Sequence, residues 1–315
     1  MTDPRVLRLA AVLALVCGWC ARLEMRAETV TLFPVADTTI LEVFPTNNIG
    51  AFPWLNAGTT QNNTSNRALL KFDVAAAIPA GATITEAQIY LWVIKRPADE
   101  VADSLFSLRR VLRSWGEGTN TDSGTNLNPL FASLPAGPGD ATWTHSRWST
   151  NQWTAPGGLE GADFTAGFSA QAFVGGVASE PYFFEGGGAT ADVQLWLDQP
   201  EQNFGWMLKS EEEQTAYTAR RFGSRELEDT AASPQLVITY LPPIIITDVH
   251  TATNRLFLTF NTDFGYPYRV EQRPALGGTN TWATLTNLGL VLSPGPRTVS
   301  DSLTNGQRFY RVRRN

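Results

Sequence analysis

The segment Thr83-Ile-Thr-Glu-Ala-Gln-Ile-Tyr-Leu-Trp-Val93 is the part of the chain that most clearly predicts a β-strand. It is rich in β-branched and aromatic residues, which strands favour, and side chains in a strand alternate between two faces. The apolar side chains on or near one face are Ile84, Ile89, Leu91 and Val93. Because the turn-like Pro79-Ala-Gly81 precedes it, the segment is expected to be one strand of a sheet with a buried face.

Short apolar segments separated by turn residues continue on both sides of this strand. They are Thr29-Val-Thr-Leu-Phe33, Ala68-Leu-Leu-Lys-Phe-Asp-Val74, Leu105 to Leu112, Gly205-Trp-Met-Leu-Lys209, Ala219-Arg-Arg-Phe222 and Gln235-Leu-Val-Ile-Thr-Tyr240. Residues 116–188 are rich in Gly, Pro, Ser, Thr and Asn, which predicts long loops. One helix is expected over residues 191–197, with Asp192 as its N-cap and Pro200 as its stop. The pattern predicts an all-β sandwich over residues 28–242.

A second, smaller β-domain is predicted after the linker Leu241-Pro-Pro243. Short strands and turns over residues 243–315 are typical of a small immunoglobulin- or fibronectin-like sandwich. Residues 28–242 hold 12 basic and 24 acidic residues, whereas residues 243–315 hold 8 and 4, which supports the division. The basic residues clustered at the chain end are Arg308, Arg311, Arg313 and Arg314. They are expected to guard a solvated strand edge, or alternatively to contact an acidic polymer.

The N-terminus has the pattern of a secretory signal peptide. Two arginines precede the apolar run from Leu9 to Trp19, which is too short to span a bilayer comfortably. We expect residues 1–27 to be removed and the protein to be secreted, extracellular or at the cell surface, without a membrane span. An uncleaved signal anchor and a lipoprotein are the alternatives. Both cysteines, Cys17 and Cys20, lie in this segment, so the mature chain would contain no disulfide.

Several motifs of the large domain resemble the DNRLRE family, which includes alginate-binding carbohydrate-binding modules and disaggregatase-type repeats. They are Ala36-Asp-Thr38, Asn47-Asn-Ile-Gly50, Arg67-Ala-Leu-Leu-Lys-Phe-Asp73, Ile78-Pro-Ala-Gly-Ala-Thr-Ile84, Arg113-Ser-Trp-Gly-Glu117, Ala141-Thr-Trp143, Trp153-Thr-Ala-Pro-Gly-Gly158, Phe222-Gly-Ser-Arg-Glu226 and Ser233-Pro-Gln-Leu-Val-Ile-Thr-Tyr240. The resemblance implies a jelly-roll β-sandwich, an extracellular location and a binding role. Residues 306–312 look like the end of C-terminal modules in secreted bacterial proteins.

Composition excludes several functional classes. With 24 basic against 30 acidic residues, the chain carries no general footprint for nucleic acid. Cysteine or histidine zinc sites are excluded, since the predicted mature chain has only His145 and His250. His145 has no nucleophile motif near it. We therefore predict that the protein is not an enzyme, although acid pairs like those of polysaccharide-degrading enzymes leave that alternative open.

Tryptophan side chains are the first candidate ligand contacts, because sugars present C–H faces that stack on flat aromatic rings. Trp54, Trp148 and Trp153 lie in loop-like segments and are predicted to form a ligand platform, with packing under the loops as the alternative. The remaining tryptophans are expected to be structural: Trp92, Trp196 and Trp206 in the core, and Trp115 and Trp143 on family motifs.

Arginine side chains are the second candidates, because guanidinium groups bind the carboxylates of acidic polysaccharides. Arginines form two clusters, one of Arg109, Arg110 and Arg113 and one of Arg220, Arg221 and Arg225. The predicted ligand contacts are Arg109, Arg113, Arg220 and Arg225. In an acidic domain such clusters would stand out electrostatically. The alternative is that they form ion pairs with Glu117, Glu226 or the run Glu211–Glu213.

Oxygen-bearing side chains near the chain start are candidate metal ligands. Asp37, Asn47 and Asn48 could bind a structural Ca²⁺, as could Asp122 and Asn126, although no EF-hand spacing is present. Asp37 could instead cap a turn.

These observations predict a secreted, non-catalytic protein that binds an extracellular polysaccharide, and the arginine candidates favour an acidic one. The alternative is a structural cell-surface or matrix protein with no small ligand. A binding module should expose at least two aromatic side chains on one concave face, whereas a scaffold should bury most of them.

Overall fold

A computed structural model describes residues 27–98, 103–120, 134–178, 180–276, 281–303 and 306–314. The predicted signal peptide lies outside the described residues, apart from residue 27, and so do Asp122 and Asn126. The described part of the chain divides into a large unit that ends at Ile244 and a small unit that begins at Ile245. Among the described residues, no helix has both the length and the apolar character that crossing a bilayer requires.

The regular secondary structure of the large unit is mostly short strands, which confirms the all-β prediction. The strands are β1 (Glu28–Leu32), β2 (Ala36–Leu41), β3 (Asn47–Asn48), β4 (Trp54–Thr59), β5 (Ser65–Lys71), β6 (Thr83–Leu91), β7 (Val93–Lys95), β8 (Ser104–Arg110), β9 (Leu134–Pro135), β10 (His145–Arg147), β11 (Asn151–Gln152), β12 (Ala170–Val174), β13 (Tyr182–Phe184), β14 (Trp206–Ser210), β15 (Arg220–Gly223) and β16 (Gln235–Leu241). The helices are α1 (Val74–Ala77), α2 (Gly187–Asp198) and two short 3-10 turns, Pro200–Gln202 and Thr230–Ala232.

Two antiparallel sheets form a β-sandwich. One sheet has four strands in the order β1-β16-β6-β13. The other has eight strands, in the order β12-β8-β14-β5-β4-β15-β7, with β2 also paired to β5. The strand predicted over residues 83–93 is interrupted at Trp92, so that β6 enters the smaller sheet and β7 forms an edge of the larger one.

Apolar side chains from both sheets and from α2 form the main core. Trp196 of α2 and Trp206 of β14 are fully buried, with ring centroids 4.5 Å apart. The predicted core positions of these two tryptophans are confirmed.

Two predictions about the large unit are wrong. The helix begins at Gly187, so Asp192 lies inside α2 rather than at its N-cap. Its buried carboxylate accepts hydrogen bonds from Ser169 Oγ and, at 2.8 Å, from Trp206 Nε1, and these long-range partners explain an acidic residue in mid-helix. The segment 116–188 is also not only loops, because β12 and β13 add an edge strand to each sheet.

The small unit contains two three-stranded antiparallel sheets. Its strands are β17 (Ile246–Ala252), β18 (Arg255–Thr262), β19 (Pro267–Arg273), β20 (Ala283–Leu290), β21 (Gly295–Ser302) and β22 (Phe309–Arg314). The sheets have the orders β17-β18-β21 and β20-β19-β22. Phe260 of the first sheet and Tyr268 of the second are both fully buried with ring centroids 6.2 Å apart, so this unit has a core of its own.

Candidate functional site

An open cleft of about 580 Å³ lies along β4, β15 and β7 of the eight-stranded sheet. Its aromatic, amide and basic lining residues include Phe44, Trp54, Asn56, Asn66, Lys95 and Arg221. Phe44 and Trp54 are both half-buried. The cleft therefore combines partly exposed rings with hydrogen-bonding and cationic groups.

Strand alternation places these side chains at the cleft. In β4, Leu55 and Ala57 are buried in the main core, so Trp54 and Asn56 point to the opposite face. In β15, Phe222 is in the same core and Arg221 takes the outer face. The outer face of the sheet is thus polar and aromatic where the inner face is apolar.

Arg221 lies over the indole of Trp54, with its guanidinium carbon 4.2 Å from the ring centroid. The edge of Phe52 packs against Trp54 at a centroid separation of 5.3 Å, which holds the indole in place. Burial lowers the pKa of Arg221 from its usual value, yet an arginine remains charged at any physiological pH. The result is a partly desolvated cation fixed on an aromatic ring.

Three polar side chains form a row across neighbouring strands. Arg221 is opposite Asn56 of β4 and, through a register shift, opposite Lys95 of β7. Among the described residues, no carboxylate lies within ion-pair distance of Arg221 or Lys95. In a unit rich in acidic residues, two neighbouring cations without a carboxylate partner favour a ligand that brings negative charge.

Residues 28–123 match the model of carbohydrate-binding module family 96. Trp54, Asn56 and Lys95 lie inside the match, whereas Arg221 lies outside it. This part of the chain is therefore similar to a family of modules that bind carbohydrate, as the sequence analysis expected. The resemblances to the DNRLRE family and to bacterial C-terminal modules stay predictions. No curated protein matches the chain.

The tryptophans predicted to bind ligand lie in different environments. Trp54 lines the cleft. Trp148 is half-buried and packs edge-on against His145, with a centroid separation of 4.7 Å. Trp153 is buried, and its Nε1 donates to the carbonyl of Thr142 at 2.9 Å. Because loop packing encloses it, Trp153 presents no face to a ligand in this structure.

Two of the predicted arginines are held by nearby carboxylates. Arg109 is buried and pairs with Glu211 at 2.9 Å. Arg113 pairs with the fully buried Asp163 at 2.8 Å. Both arginines therefore form ion pairs within the protein, which was the alternative to contact with a ligand.

The other two predicted arginines also have internal partners. Arg220 is 1% exposed, and its guanidinium donates to backbone carbonyls that include those of Gly175, at 2.6 Å, and Thr218, at 3.0 Å. Arg225 pairs with Glu117 at 2.8 Å and with Glu226 at 2.7 Å. All four predicted arginines thus have internal partners. Arg113 and Arg225 are still more than a third exposed and Arg220 also lines the cleft, so contact of these arginines with a ligand stays a prediction.

The three predicted metal ligands, Asp37, Asn47 and Asn48, also have different environments. Asn48 uses its side chain on the backbone: Nδ2 donates to the carbonyl of Glu117 at 2.8 Å, and Oδ1 accepts from the amide of Gly50 at 2.8 Å. Asn47 lies opposite Pro135 in a two-residue strand pair. Asp37 instead meets two carboxylates that the prediction did not group with it, Glu117 and Glu226.

Arg221 belongs to an arginine cluster that the sequence indicates but is not one of the candidates chosen from it, and Asn56 and Lys95 are not among the predicted site residues. The alternation of side chains along a strand could have identified Arg221. Because the apolar Phe222 faces the core, Arg221 must lie on the outer face of the strand and Arg220 on the inner face. Asn56 and Lys95 could not be found in this way, since their place beside Arg221 depends on strand pairing and on a register shift.

Proposed function

We propose that this protein is a secreted, non-catalytic module that binds an acidic polysaccharide in the cleft along β4, β15 and β7. The observation that carries the proposal is the guanidinium of Arg221, which lies on Trp54 without a carboxylate partner among the described residues. The family match over residues 28–123 supports carbohydrate as the ligand class.

Each cleft residue has a specific role in this proposal. Trp54 keeps the plane of Arg221 fixed, so that the N–H groups of the guanidinium can bind a uronate carboxylate in a bidentate manner. Lys95 on the neighbouring strand supplies a second positive charge. The amides of Asn56 and Asn66 can exchange hydrogen bonds with sugar hydroxyls, and Phe44 offers an apolar surface to the C–H faces of a sugar ring.

Affinity gel electrophoresis and calorimetry on a polymer panel would test the proposal. The panel contains alginate, polygalacturonate and uncharged polysaccharides of similar length. We expect retention on at least one polyuronate, weaker retention at high salt, and little on the uncharged polymers. Arg221→Ala should weaken binding at least tenfold, and Arg221→Lys should recover it only in part because the planar fork is lost.

Trp148→Ala is the matched control, since this half-buried tryptophan lies away from the cleft lining. It should leave the affinity unchanged within about twofold. Loss of binding in Trp148→Ala but not in Arg221→Ala would place the site elsewhere. Failure to bind any polymer would favour a structural surface protein instead.

A further inference from the structure

Three carboxylates from distant parts of the large unit converge at one point. Asp37 lies in β2, Glu117 lies in the segment after β8, and Glu226 follows β15. One oxygen from each residue lies within 4.8 Å of the others. Oxygen ligands of Ca²⁺ lie about 2.3–2.6 Å from the ion, so oxygens up to about 5 Å apart can share one ion.

Two of these carboxylates present buried oxygens that have no hydrogen-bond partner among the described residues. They are Oδ1 of Asp37, a fully buried residue, and Oε2 of Glu226. The remaining oxygens of these groups are held in place: Asp37 Oδ2 accepts from the Arg225 amide at 2.8 Å, and Glu226 Oε1 pairs with Arg225 Nε at 2.7 Å. Since buried polar atoms are normally satisfied, these oxygens indicate a missing partner.

The charge at this point also favours a bound cation. Arg225 is the arginine paired with Glu117 and Glu226, so one positive side chain faces three carboxylates. Asp37 is fully buried, and its carboxylate lies close to those of Glu117 and Glu226. Ionised, the group would carry excess negative charge in a buried place, which is costly without a counter-ion.

We propose that Asp37, Glu117 and Glu226 form a site for a hard divalent cation, Ca²⁺ in particular. The donor set consists of oxygens only, which suits Ca²⁺ rather than metals that prefer nitrogen or sulfur. Carboxylates from a strand and two loops can supply one or two oxygens each, as the flexible coordination of Ca²⁺ allows. The site differs from the metal site predicted from the sequence. Asn48, a predicted ligand, instead donates a hydrogen bond from its side-chain amide to the backbone carbonyl of Glu117.

A cation here would join β2, the segment around residue 117 and the turn after β15. Its binding would therefore stabilise the folded state, by an amount that grows with the logarithm of the free Ca²⁺ concentration divided by Kd. The inference does not depend on what the cleft binds.

Calorimetric titration of the chelator-stripped protein with CaCl₂, together with thermal denaturation with and without CaCl₂, would test the site. We expect one ion per chain and a higher Tm with Ca²⁺. Glu226→Gln keeps the side-chain shape but removes a charge, and it should weaken Ca²⁺ binding at least tenfold and abolish the rise in Tm. Glu228→Gln, an exposed change two residues away, should bind Ca²⁺ as the wild type does.

No binding of Ca²⁺ by the wild type at millimolar concentration would overturn the proposal, as would equal binding by Glu226→Gln. Tighter binding of Mg²⁺ than of Ca²⁺ would overturn the choice of ion. If the variant does not fold, wild-type crystals soaked with a lanthanide decide the matter. An anomalous peak between the three carboxylates is expected, and a peak only elsewhere would contradict the site.

Discussion

Two adjacent arginines at the residue scale have opposite environments. Arg220 points inward beside Phe222 and donates to backbone carbonyls, whereas Arg221 points outward onto Trp54. The pairing of strands, not the residue type, decides which guanidinium can meet a ligand. In the proposed function, the internal arginine holds backbone segments together and its neighbour supplies the charge that binds the ligand.

Asp192 provides a prediction at the same scale. Its buried carboxylate pairs with Arg110 at 2.8 Å and accepts a hydrogen bond from Trp206. Asp192→Ala would leave both partners without an acceptor, so we expect a loss of about 3 kcal/mol in the free energy of unfolding. Chemical denaturation measures this loss.

Asp198→Ala is the control for this change. Asp198 is exposed at the end of the same helix, and the substitution should alter stability by less than about 0.5 kcal/mol. Equal effects of the two substitutions would show that the Asp192 network does not stabilise the core.

At the scale of elements, Gly205 makes the entry into β14 possible. Its φ is +72°, and a Cβ at this position would overlap the Leu70 carbonyl of the neighbouring strand. Gly161 has a similar φ of +79°, but a Cβ there would meet nothing within 4 Å. Comparing alanine substitutions at the two glycines therefore distinguishes the energetic cost of backbone strain from that of a steric clash with the neighbouring strand.

We therefore predict different effects of alanine at these two glycines. Gly161→Ala should cost about 1–2 kcal/mol, the price of a left-handed backbone for a residue with a Cβ. Gly205→Ala should cost distinctly more, because β14 must also move away from β5. Urea denaturation of both variants tests this prediction. Equal losses in the free energy of unfolding would mean that β14 can move away from β5 at little cost.

Ion pairing between β8 and the segment after β14 gives a pH-dependent prediction. Burial alone would raise the pKa of Glu211, but hydrogen bonds from Arg109 and Ser107 outweigh it and lower the pKa below its usual value of 4.5. Glu211 therefore stabilises the fold above that pH, and this contribution is lost as the pH falls through the lowered pKa.

Glu211→Gln should accordingly be less stable than the wild type at pH 7, and the difference should shrink at pH 3. Urea midpoints at both pH values measure it. The exposed Glu201→Gln should match the wild type at both. A difference for Glu211→Gln that is the same at pH 3 and pH 7 would contradict a charge-based role.

Most strands of the main core could be predicted from alternation and turn residues, because these are local signals. β6 and β16 are examples. The division of the segment 83–93 between two sheets could not, since it depends on what each half pairs with. The edge strands β12 and β13 were missed because they are short and lie in a Gly-rich segment.

The candidate sites were harder to predict than the fold, for the same reason. Trp54 and Asp37 could be selected from the sequence, whereas Glu117 and Glu226 stood out there only in family motifs and as partners of arginines. Bringing Asp37, Glu117 and Glu226 together requires contacts over 80 and 189 positions, which no local pattern contains. Composition predicted the kinds of groups that would be available, whereas topology decided their neighbours.

At the scale of the whole molecule, three of the four arginines near the chain end pair with carboxylates of the small unit. Arg311 pairs with Glu271 at 2.7 Å, Arg314 pairs with Asp263 at 2.6 Å, and Arg308 pairs with Asp301. These pairs favour the interpretation of the terminal arginines as structural. They argue against a basic tail that would bind an acidic polymer by itself.

The pairing of these arginines leads to a prediction for the large unit alone. Residues 27–244 contain the complete main core and every lining residue of the cleft. We expect this fragment to unfold in one cooperative transition and to bind the preferred polymer within about twofold of the full chain, as calorimetry can measure. The control is the small unit, residues 245–315, which should fold but not bind. A fragment 27–244 that folds but binds more than tenfold more weakly would show that the small unit's arginines take part in binding, because the cleft itself would be unchanged.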